Sequence, residues 1–346
     1  MNILIIGNGF DLAHGLKTRY TDFLKYCEDE PKAGGNIWRN YFVKTYKSMG
    51  NKNWTGFEDE ISRIVEAFEE SKFEVEKIDD KSYISNVNGI GEFLGYIVHG
   101  ADKRVDDSGF PIERYELRSP YSFSKTDLIE RLYEKLKDFV NEFRKYCIRE
   151  INHKECGNWL FREVNYDAVL SFNYTDTMKK IYDFSSEKCC YIHGQASNSG
   201  YGKLVMGSNE TLESVKNNEE INENNNFDFS KFKKYFQRIM YKTGSEYKDW
   251  LNSVDENGCN SHHNVHIVGH SLDKTDRDVL TEFFINENCD INIYYHDEKS
   301  HIDKIQKTIS IVGKDKLIKW VHGRNARIKF FDQHNAKHGI FTKKAK

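Results

Sequence analysis

The sequence predicts an α/β fold, a parallel sheet flanked by helices, with a large helical insertion. The chain opens on the short apolar run NILII, which a glycine-rich turn and a helix follow. After about residue 152, further short apolar runs alternate with stretches of helical spacing. Between these two regions lie long segments with apolar residues at helical spacing. Alternating strands and helices are typical of parallel sheets, whose buried strands are almost continuously apolar.

Composition limits the class of protein. The 346 residues include 51 Lys and Arg against 54 Asp and Glu, and this balance argues against a protein that coats nucleic acid. No apolar run approaches the roughly 20 residues of a membrane-spanning helix. The opening apolar run is short and lacks a basic flank, so we expect no signal peptide. The 7 cysteines form no C-x-x-C pair, so we expect free thiols in the cytoplasm and no structural zinc.

The predicted elements follow the chain in order. Strands are predicted at 2–6, 168–172, 190–192, 204–206, 266–268, 291–295 and 328–331. Helices are predicted around 18–27, around 57–68 and, behind the capping pair Ser124 and Asp127, over 128–147. Residues 81–120 show no clear periodicity. We therefore predict a core begun by 1–50, a mostly helical insertion at 51–155, and the rest of the core at 156–346, with a polar loop and a helical excursion at about 210–262.

The turn after the first strand holds the first candidate site. Gly7 and Gly9 stand where a strand leads into a helix, a position that lets the backbone approach a phosphate. Leu12 occupies the third glycine position of the ordinary dinucleotide pattern, so a tight turn without a ligand is the alternative. Asp11 is placed to accept a ribose hydroxyl or to cap the helix, and His14 more often packs than reacts.

Polar residues also follow the next two strands. Asn173 and Asp176 come after 168–172, and His193 comes after 190–192, directly before Gly194. Ligands of open α/β sheets lie beyond the carboxyl ends of the strands, so these side chains are expected to face one crevice. The imidazole of His193 suits a general base. The alternatives are an ordinary turn with Asp176 as a helix cap and a structural histidine.

A fourth segment, VGHSLD, again joins a strand to a glycine turn. Ser271 and Asp273 are candidates for contacts with a ribose or a phosphate, although Asp273 and Asp276 also suit the start of a helix. The nearby histidines raise the question of a metal; they are His262, His263, His266 and His270. Because the chain has no H-E-x-x-H motif, we expect no metal site.

These four segments together, in this order, resemble the AbiH family of bacteriophage abortive-infection proteins. The most specific part is the opening NILIIGNGFDLAHGL with Thr18, Tyr20, Asp22 and Phe23 behind it. The later parts are SFNYTDT, YIHG and VGHSLDKTD. The resemblance extends from residue 2 to about residue 297 and implies a role in phage defence.

That family is in turn similar to the sirtuins, which implies a Rossmann-like, sirtuin-type sheet that binds NAD⁺. The similarity implies catalytic roles: Asn173 would position water or a ribose hydroxyl, and His193 would be the general base. A carboxylate, Asp176 or Asp11, would stabilise the ribosyl cation. The residues implied in binding the cofactor are Gly7, Asn8, Gly9, Phe10, Asp11, Gly15, Asp22, Phe23, Gly269, Ser271 and Asp273. Deacylation in that family is usually supported by paired C-x-x-C motifs, which this sequence lacks. The resemblance therefore favours hydrolysis of NAD⁺ to nicotinamide and ADP-ribose over deacylation.

Two alternatives stay open at this point. One is a sensor that binds NAD⁺ or ADP-ribose without catalysis. The other is a defence enzyme acting on nucleic acid, suggested by basic and aromatic residues over 231–242. An unrestrained NADase would kill its host, so we expect a restrained resting state, released by homo-oligomer formation, a phage-derived trigger or a partner defence protein. We expect no membrane association.

Overall fold

The computed structural model describes residues 1–29, 35–49, 54–105, 111–118, 124–151, 159–161, 165–198, 203–208, 227–335 and 340–343. The chain divides into two compact units. The first consists of Met1–Arg19, Arg144–Val205 and Tyr241–Lys346, and the second of Tyr20–Phe143 and Met206–Met240. The second unit thus begins well before the insertion predicted at 51–155 and takes in part of the predicted helical excursion.

The strands are numbered in chain order. They are β1 Asn2–Ile6, β2 Glu74–Ile78, β3 Lys81–Ser85, β4 Val98–Val105, β5 Pro111–Leu117, β6 Trp159–Phe161, β7 Ala168–Ser171, β8 Cys189–Tyr191, β9 His263–Val268, β10 Cys289–Tyr295, β11 Ile328–Asp332 and β12 Phe341–Lys343. Strands β6 and β12 form a separate antiparallel pair.

The α-helices are numbered in the same way. They are α1 Asn8–Ala13, α2 Tyr20–Asp29, α3 Ile37–Met49, α4 Trp54–Glu70, α5 Leu94–Ile97, α6 Lys125–Tyr146, α7 Thr177–Tyr182, α8 Lys234–Tyr241, α9 Glu246–Leu251, α10 Arg277–Ile285, α11 Glu298–Val312 and α12 Lys314–His322. Short 3₁₀ segments lie at Gly91–Phe93, Ser186–Lys188, Phe227–Phe232 and Lys274–Asp276, and α6 continues into a π-helical turn, Cys147–Ile151.

The first unit contains a six-stranded sheet in the order β11-β10-β9-β1-β7-β8. Every pairing between these strands is parallel. Numbered within the sheet from β1, the order is 3-2-1-4-5-6 when read from β8, which is the order of dinucleotide-binding folds. The predicted α/β, Rossmann-like sheet is therefore confirmed. The strand order reverses between β1 and β9, and the crevice of such a sheet opens at that point.

Strand β1 is central because both of its faces are apolar. Ile3 and Ile5 belong to one core cluster, whereas Leu4 and Ile6 belong to the cluster on the other side of the sheet. The first cluster takes in residues of α10, α11 and α12, and the second takes in Phe10 and residues of α7. A strand that is buried on both faces has a nearly continuous apolar sequence, and NILII shows this pattern.

The second unit combines helices with a four-stranded antiparallel sheet, β2-β3-β5-β4. The expectation of a mostly helical section therefore missed these strands. The reason lies in their side chains: β2 is EVEKI and carries no fully buried residue, while β3 buries just Ser82 and Ile84. Strands with so few buried apolar residues lack the alternating pattern that identifies strands.

Two local predictions had different outcomes. Ser124 and Asp127 cap α6 as predicted, since the Asp127 backbone N–H donates to Ser124 Oγ at 3.1 Å and Ser124 N–H donates to Asp127 Oδ2 at 2.9 Å. The strand predicted at 204–206 is wrong, because these buried residues form no strand. In the described parts of the chain, no helix combines the length and the apolar character needed to cross a membrane.

Candidate functional site

The loops that follow β1 and β9 are packed directly against each other. Gly9 N–H donates to Gly269 O at 2.7 Å, and Gly7 N–H donates to Val268 O at 3.3 Å. A Cβ built on Gly9 would lie 2.8 Å from Gly269 O, and one on Gly269, whose φ is +66°, would lie 2.0 Å from Phe10 N. Contact between two backbones therefore requires glycine here, whether or not a phosphate binds.

Asn173 extends this packing to the end of β7. Its side chain is buried, and Nδ2 donates to Gly7 O at 3.0 Å. The Ser171 hydroxyl accepts from the Asn173 backbone N–H at 3.2 Å. The structure thus brings together the predicted residues Gly7, Gly9, Asn173 and Gly269 at the switch point of the sheet. It gives the Asn173 amide a structural contact that the sequence did not reveal.

Asp11 is a buried carboxylate in the same region. It is 1% exposed and accepts hydrogen bonds from Thr175 Oγ1 at 2.5 Å and Thr177 Oγ1 at 2.7 Å. Burial raises the pKa of Asp11 to about 6, against the lowering effect of these hydroxyls and of the Asn173 side chain. Asp11 also raises the pKa of the buried Cys147 thiol, although burial has the larger effect on that thiol.

The loop after β8 fixes His193. Gly194 has a φ of +77°, and a Cβ there would lie 2.3 Å from Lys203 O. Val205 N–H donates to His193 O at 2.9 Å, and Tyr174 OH donates to Val205 O at 2.8 Å. The segment predicted as a strand at 204–206 therefore supports the His193 loop instead.

One carboxylate lies between two imidazoles. His193 Nε2 lies 3.0 Å from Asp276 Oδ1, and His270 Nε2 lies 3.4 Å from Asp276 Oδ2. Both rings are buried, at 4% and 3% exposed, and the ring centroid of His270 is 4.3 Å from that of Phe172. Asp276 immediately precedes α10, but its side chain makes no capping hydrogen bond.

The hydrogen bonds assign the protons of this cluster. Leu272 N–H donates to His270 Nδ1 at 2.9 Å, so Nδ1 is the acceptor and Nε2 carries the proton that faces Asp276. An ionised carboxylate accepts and cannot donate, so His193 Nε2 also carries a proton, and Nδ1 is its basic nitrogen. A carboxylate that orients an imidazole in this way is a common arrangement for a general base.

Asp176 is less buried than Asp11. Its side chain is 13% exposed, and Oδ1, which makes no hydrogen bond, lies 3.7 Å from Lys180 Nζ. Burial raises the pKa of Asp176, whereas Lys180 lowers it by a smaller amount. Asp176 precedes α7 without capping it through its side chain, so the simple capping interpretation is not supported.

The other predicted binding residues have different environments. Asp273 forms an ion pair with Lys307 at 3.3 Å, and Ser271 is exposed. Asp22 and Phe23 lie on α2 in the second unit, where the Phe23 ring packs on Phe143 with centroids 5.1 Å apart. Asn8 and Phe10 lie in α1, and Gly15 follows that helix with a φ of +77°.

His14 is buried and has a partner on each ring nitrogen. Nδ1 lies 2.7 Å from Phe10 O, and Nε2 lies 2.5 Å from Tyr182 OH. The interpretation of His14 as a packing residue therefore fits the structure. Within the described ranges, no group of three or more His, Cys, Asp or Glu side chains is arranged to hold a metal ion.

Three of the basic residues over 231–242 form ion pairs within the second unit. Lys231 forms an ion pair with Glu130, Lys233 pairs with Glu69 at 2.9 Å, and Lys234 pairs with Glu58 at 2.5 Å. Phe232 is buried. Three positive charges that could contact phosphates are thus already paired with carboxylates, and this weakens the nucleic-acid alternative.

Two residues of the first unit were missed by sequence reasoning. Asp276 does stand at the start of a helix, as predicted, but its carboxylate is also shared by His193 and His270, which was not predicted. Lys304 of α11 was not singled out, yet it is buried and donates to His270 O. A lysine within an amphipathic helix gives no signal of burial, because long charged side chains usually reach solvent.

No curated protein matches the chain in sequence. A family model described as bacteriophage abortive infection AbiH matches residues 3–297. The match covers both glycine loops, Asn173, His193 and Asp276, and it ends just after β10. Because it extends over most of the chain, this protein belongs to the AbiH family of bacteriophage abortive-infection proteins.

Proposed function

We propose that this protein is an abortive-infection effector that hydrolyses NAD⁺ to nicotinamide and ADP-ribose. The observation that carries the proposal is the His193–Asp276–His270 cluster in the loops that follow the strands of a sheet with dinucleotide-binding order. Dinucleotides bind such sheets across the crevice at the switch point. A base oriented by a carboxylate would there act on water beside the nicotinamide ribose.

The reaction breaks the bond between the nicotinamide nitrogen and ribose C1′. The electron pair of that bond leaves with the ring, which becomes neutral, and the ribose is left as an oxocarbenium-like cation. Water adds its oxygen to C1′ and loses one proton. The products are nicotinamide, ADP-ribose and a proton, and the step requires no oxidant or reductant.

The residues have separate roles in this proposal. His193 Nδ1 takes the proton from water, and Asp276 holds the ring and stabilises the imidazolium that forms. Asp176 supplies negative charge toward the ribosyl cation. Asn173 and Asp11 maintain the loop geometry through their contacts with Gly7 and with the Thr175 and Thr177 hydroxyls.

The first test is NAD⁺ content in cells expressing the protein during phage challenge, because we expect a restrained resting state. Wild type is compared with His193→Ala and with His262→Ala, whose ring is 61% exposed and pairs with Asp290 instead. We expect NAD⁺ to collapse with wild type and His262→Ala and to be retained with His193→Ala. Collapse in all three removes His193 from its role, and unchanged NAD⁺ with persistent protection rejects hydrolysis.

The second test follows nicotinamide release by the activated protein. General-base catalysis typically contributes roughly 10²- to 10⁴-fold, so His193→Ala is expected to lower kcat by that factor. Asp276→Asn is expected to lower kcat with little change in KM and to change the pH profile of kcat, because it acts through the imidazole. Binding of ADP-ribose without any release of nicotinamide would instead favour a nucleotide sensor.

A further inference from the structure

Lys304 is a buried cation in the first unit. It lies on α11, is 7% exposed, and its ammonium donates to the backbone oxygen of His270 at 2.5 Å. His270 belongs to the loop that packs on the first glycine turn, since a Cβ built on Gly7 would lie 2.7 Å from His270 Cα. Lys304 therefore contacts the loop that packs against the first glycine turn.

The ammonium is not balanced by a carboxylate. No carboxylate oxygen of the described residues lies within 4.0 Å of Lys304 Nζ. The neighbouring Asp303 pairs with Lys307 at 3.2 Å, and Lys307 also pairs with Asp273. An ammonium has three N–H donors, and one backbone carbonyl satisfies one of them. Burying a charge without a counter-charge costs several kcal/mol, so an anion at this point would be strongly favoured.

We propose that Lys304 binds the pyrophosphate of the dinucleotide. The inference rests on the proposed function for the identity of the ligand, and it adds the charge that the glycine turns do not supply. The Gly9 amide, a natural phosphate donor in such a turn, is occupied by Gly269 O. A pyrophosphate at the glycine loops therefore needs another donor, and the buried ammonium is adjacent to them.

The state of the ammonium agrees with this role. Burial lowers the pKa of Lys304 to about 8, opposed by a smaller effect of Asp303. The side chain is therefore charged at neutral pH. An anion that binds beside it stabilises the charged form and so raises this pKa.

The test is calorimetric binding of ADP-ribose and of adenosine to the full chain. Lys304→Met removes the charge at nearly constant length, and Lys316→Met makes the same change at an exposed position of α12. We expect Lys304→Met to weaken ADP-ribose at least tenfold and to leave adenosine unchanged. Lys316→Met is expected to bind both as wild type does. Unchanged ADP-ribose affinity in Lys304→Met, or an equal loss of adenosine, overturns the proposal.

A measurement on the wild type keeps the test informative should Lys304→Met not fold. The affinity for ADP-ribose is expected to fall as pH rises from 7 to 9.5, while that for adenosine stays constant; a flat profile for ADP-ribose contradicts the proposal. Failure of NAD⁺ hydrolysis with intact, Lys304-dependent binding would reject the proposed function alone. Hydrolysis with binding independent of Lys304 would reject this inference alone.

Discussion

The two units bury lysines in opposite ways. In the second unit, Lys234 pairs with Glu58 at 2.5 Å, and the two side chains are 4% and 3% exposed. In the first unit, Lys304 is 7% exposed and donates to a backbone carbonyl, and no carboxylate oxygen of the described residues lies within 4.0 Å of its ammonium. In the second unit, the ammonium and the carboxylate neutralise each other within the fold. The arrangement in the first unit leaves a charge that a ligand would neutralise.

Asp11 extends the comparison to anions. Its carboxylate is buried among hydroxyls, and burial raises its pKa to about 6. Buried charges held by neutral groups are costly to stability and occur where proteins bind or react. In the described residues, Asp11, Lys304 and Arg327 are charges of this kind, and all three belong to the first unit, which also holds the shared carboxylate Asp276.

The largest effect on stability is expected from breaking the buried ion pair between Lys234 and Glu58. Glu58→Gln removes the carboxylate that pairs with the buried Lys234 ammonium, and loss of one partner of a buried pair costs about 3–5 kcal/mol. Urea unfolding should show this loss of stability. Replacing both residues, as in Glu58→Leu with Lys234→Met, should recover most of it. If Glu58→Gln lowered the free energy of unfolding by less than about 1 kcal/mol, the ion pair would not be a main source of stability.

The next effect concerns Asp11. Its folded pKa of about 6 lies above the ordinary value of 3.8, so the wild type loses stability as pH rises from about 4 to 6. At 1.36 kcal/mol per pKa unit the cost is about 3 kcal/mol at pH 7. Asp11→Asn is expected to gain up to that amount at pH 7 and to lose the advantage as pH falls to 4. Unfolding measured at pH 4, 5, 6 and 7 checks it; an advantage that grows on acidification contradicts the sign.

Lys304→Met is expected to stabilise the protein by about 2 kcal/mol at pH 7. The folded pKa of about 8 lies below the ordinary value of 10.5, so the wild type carries the full cost of burying the charge at pH 7 and regains stability as pH rises from 8 to 10.5. The lost hydrogen bond to His270 O offsets about 1 kcal/mol. Thermal unfolding across this pH range should show the variant's advantage disappear. A destabilised Lys304→Met at pH 7 would make Lys304 a structural residue like Lys234.

The smallest effect is expected at an exposed pair. Lys137 and Glu134 lie 2.9 Å apart on α6, with side chains 47% and 52% exposed. Water and salt screen such pairs, so Lys137→Ala should change stability by no more than about 0.5 kcal/mol. Urea unfolding of this variant sets the baseline for the buried lysines. If Lys137→Ala lost as much stability as Glu58→Gln, burial would not explain the difference between the exposed and the buried ion pair.

The sequence predicted the parallel sheet because its strands are buried on both faces and read as apolar runs. It predicted Asn173 and His193 near one edge because parallel strands end together. It missed β2 and β3, because β2 has no fully buried residue and β3 buries just Ser82 and Ile84. It could not predict that Asp276 is shared by two histidines, since that depends on how three loops meet, or that Lys304 points inward.

Strand β1 also sets the order in which the protein can be completed. It lies between β7 and β9, and Asn2 contacts Asn264, which is 262 residues later in the chain. At roughly 5–20 residues per second, synthesis leaves on the order of tens of seconds between these two strands. The glycine turn at Gly7 cannot be closed by Gly269 before then. Chains that end before Gly269 therefore cannot form both loops of the proposed site.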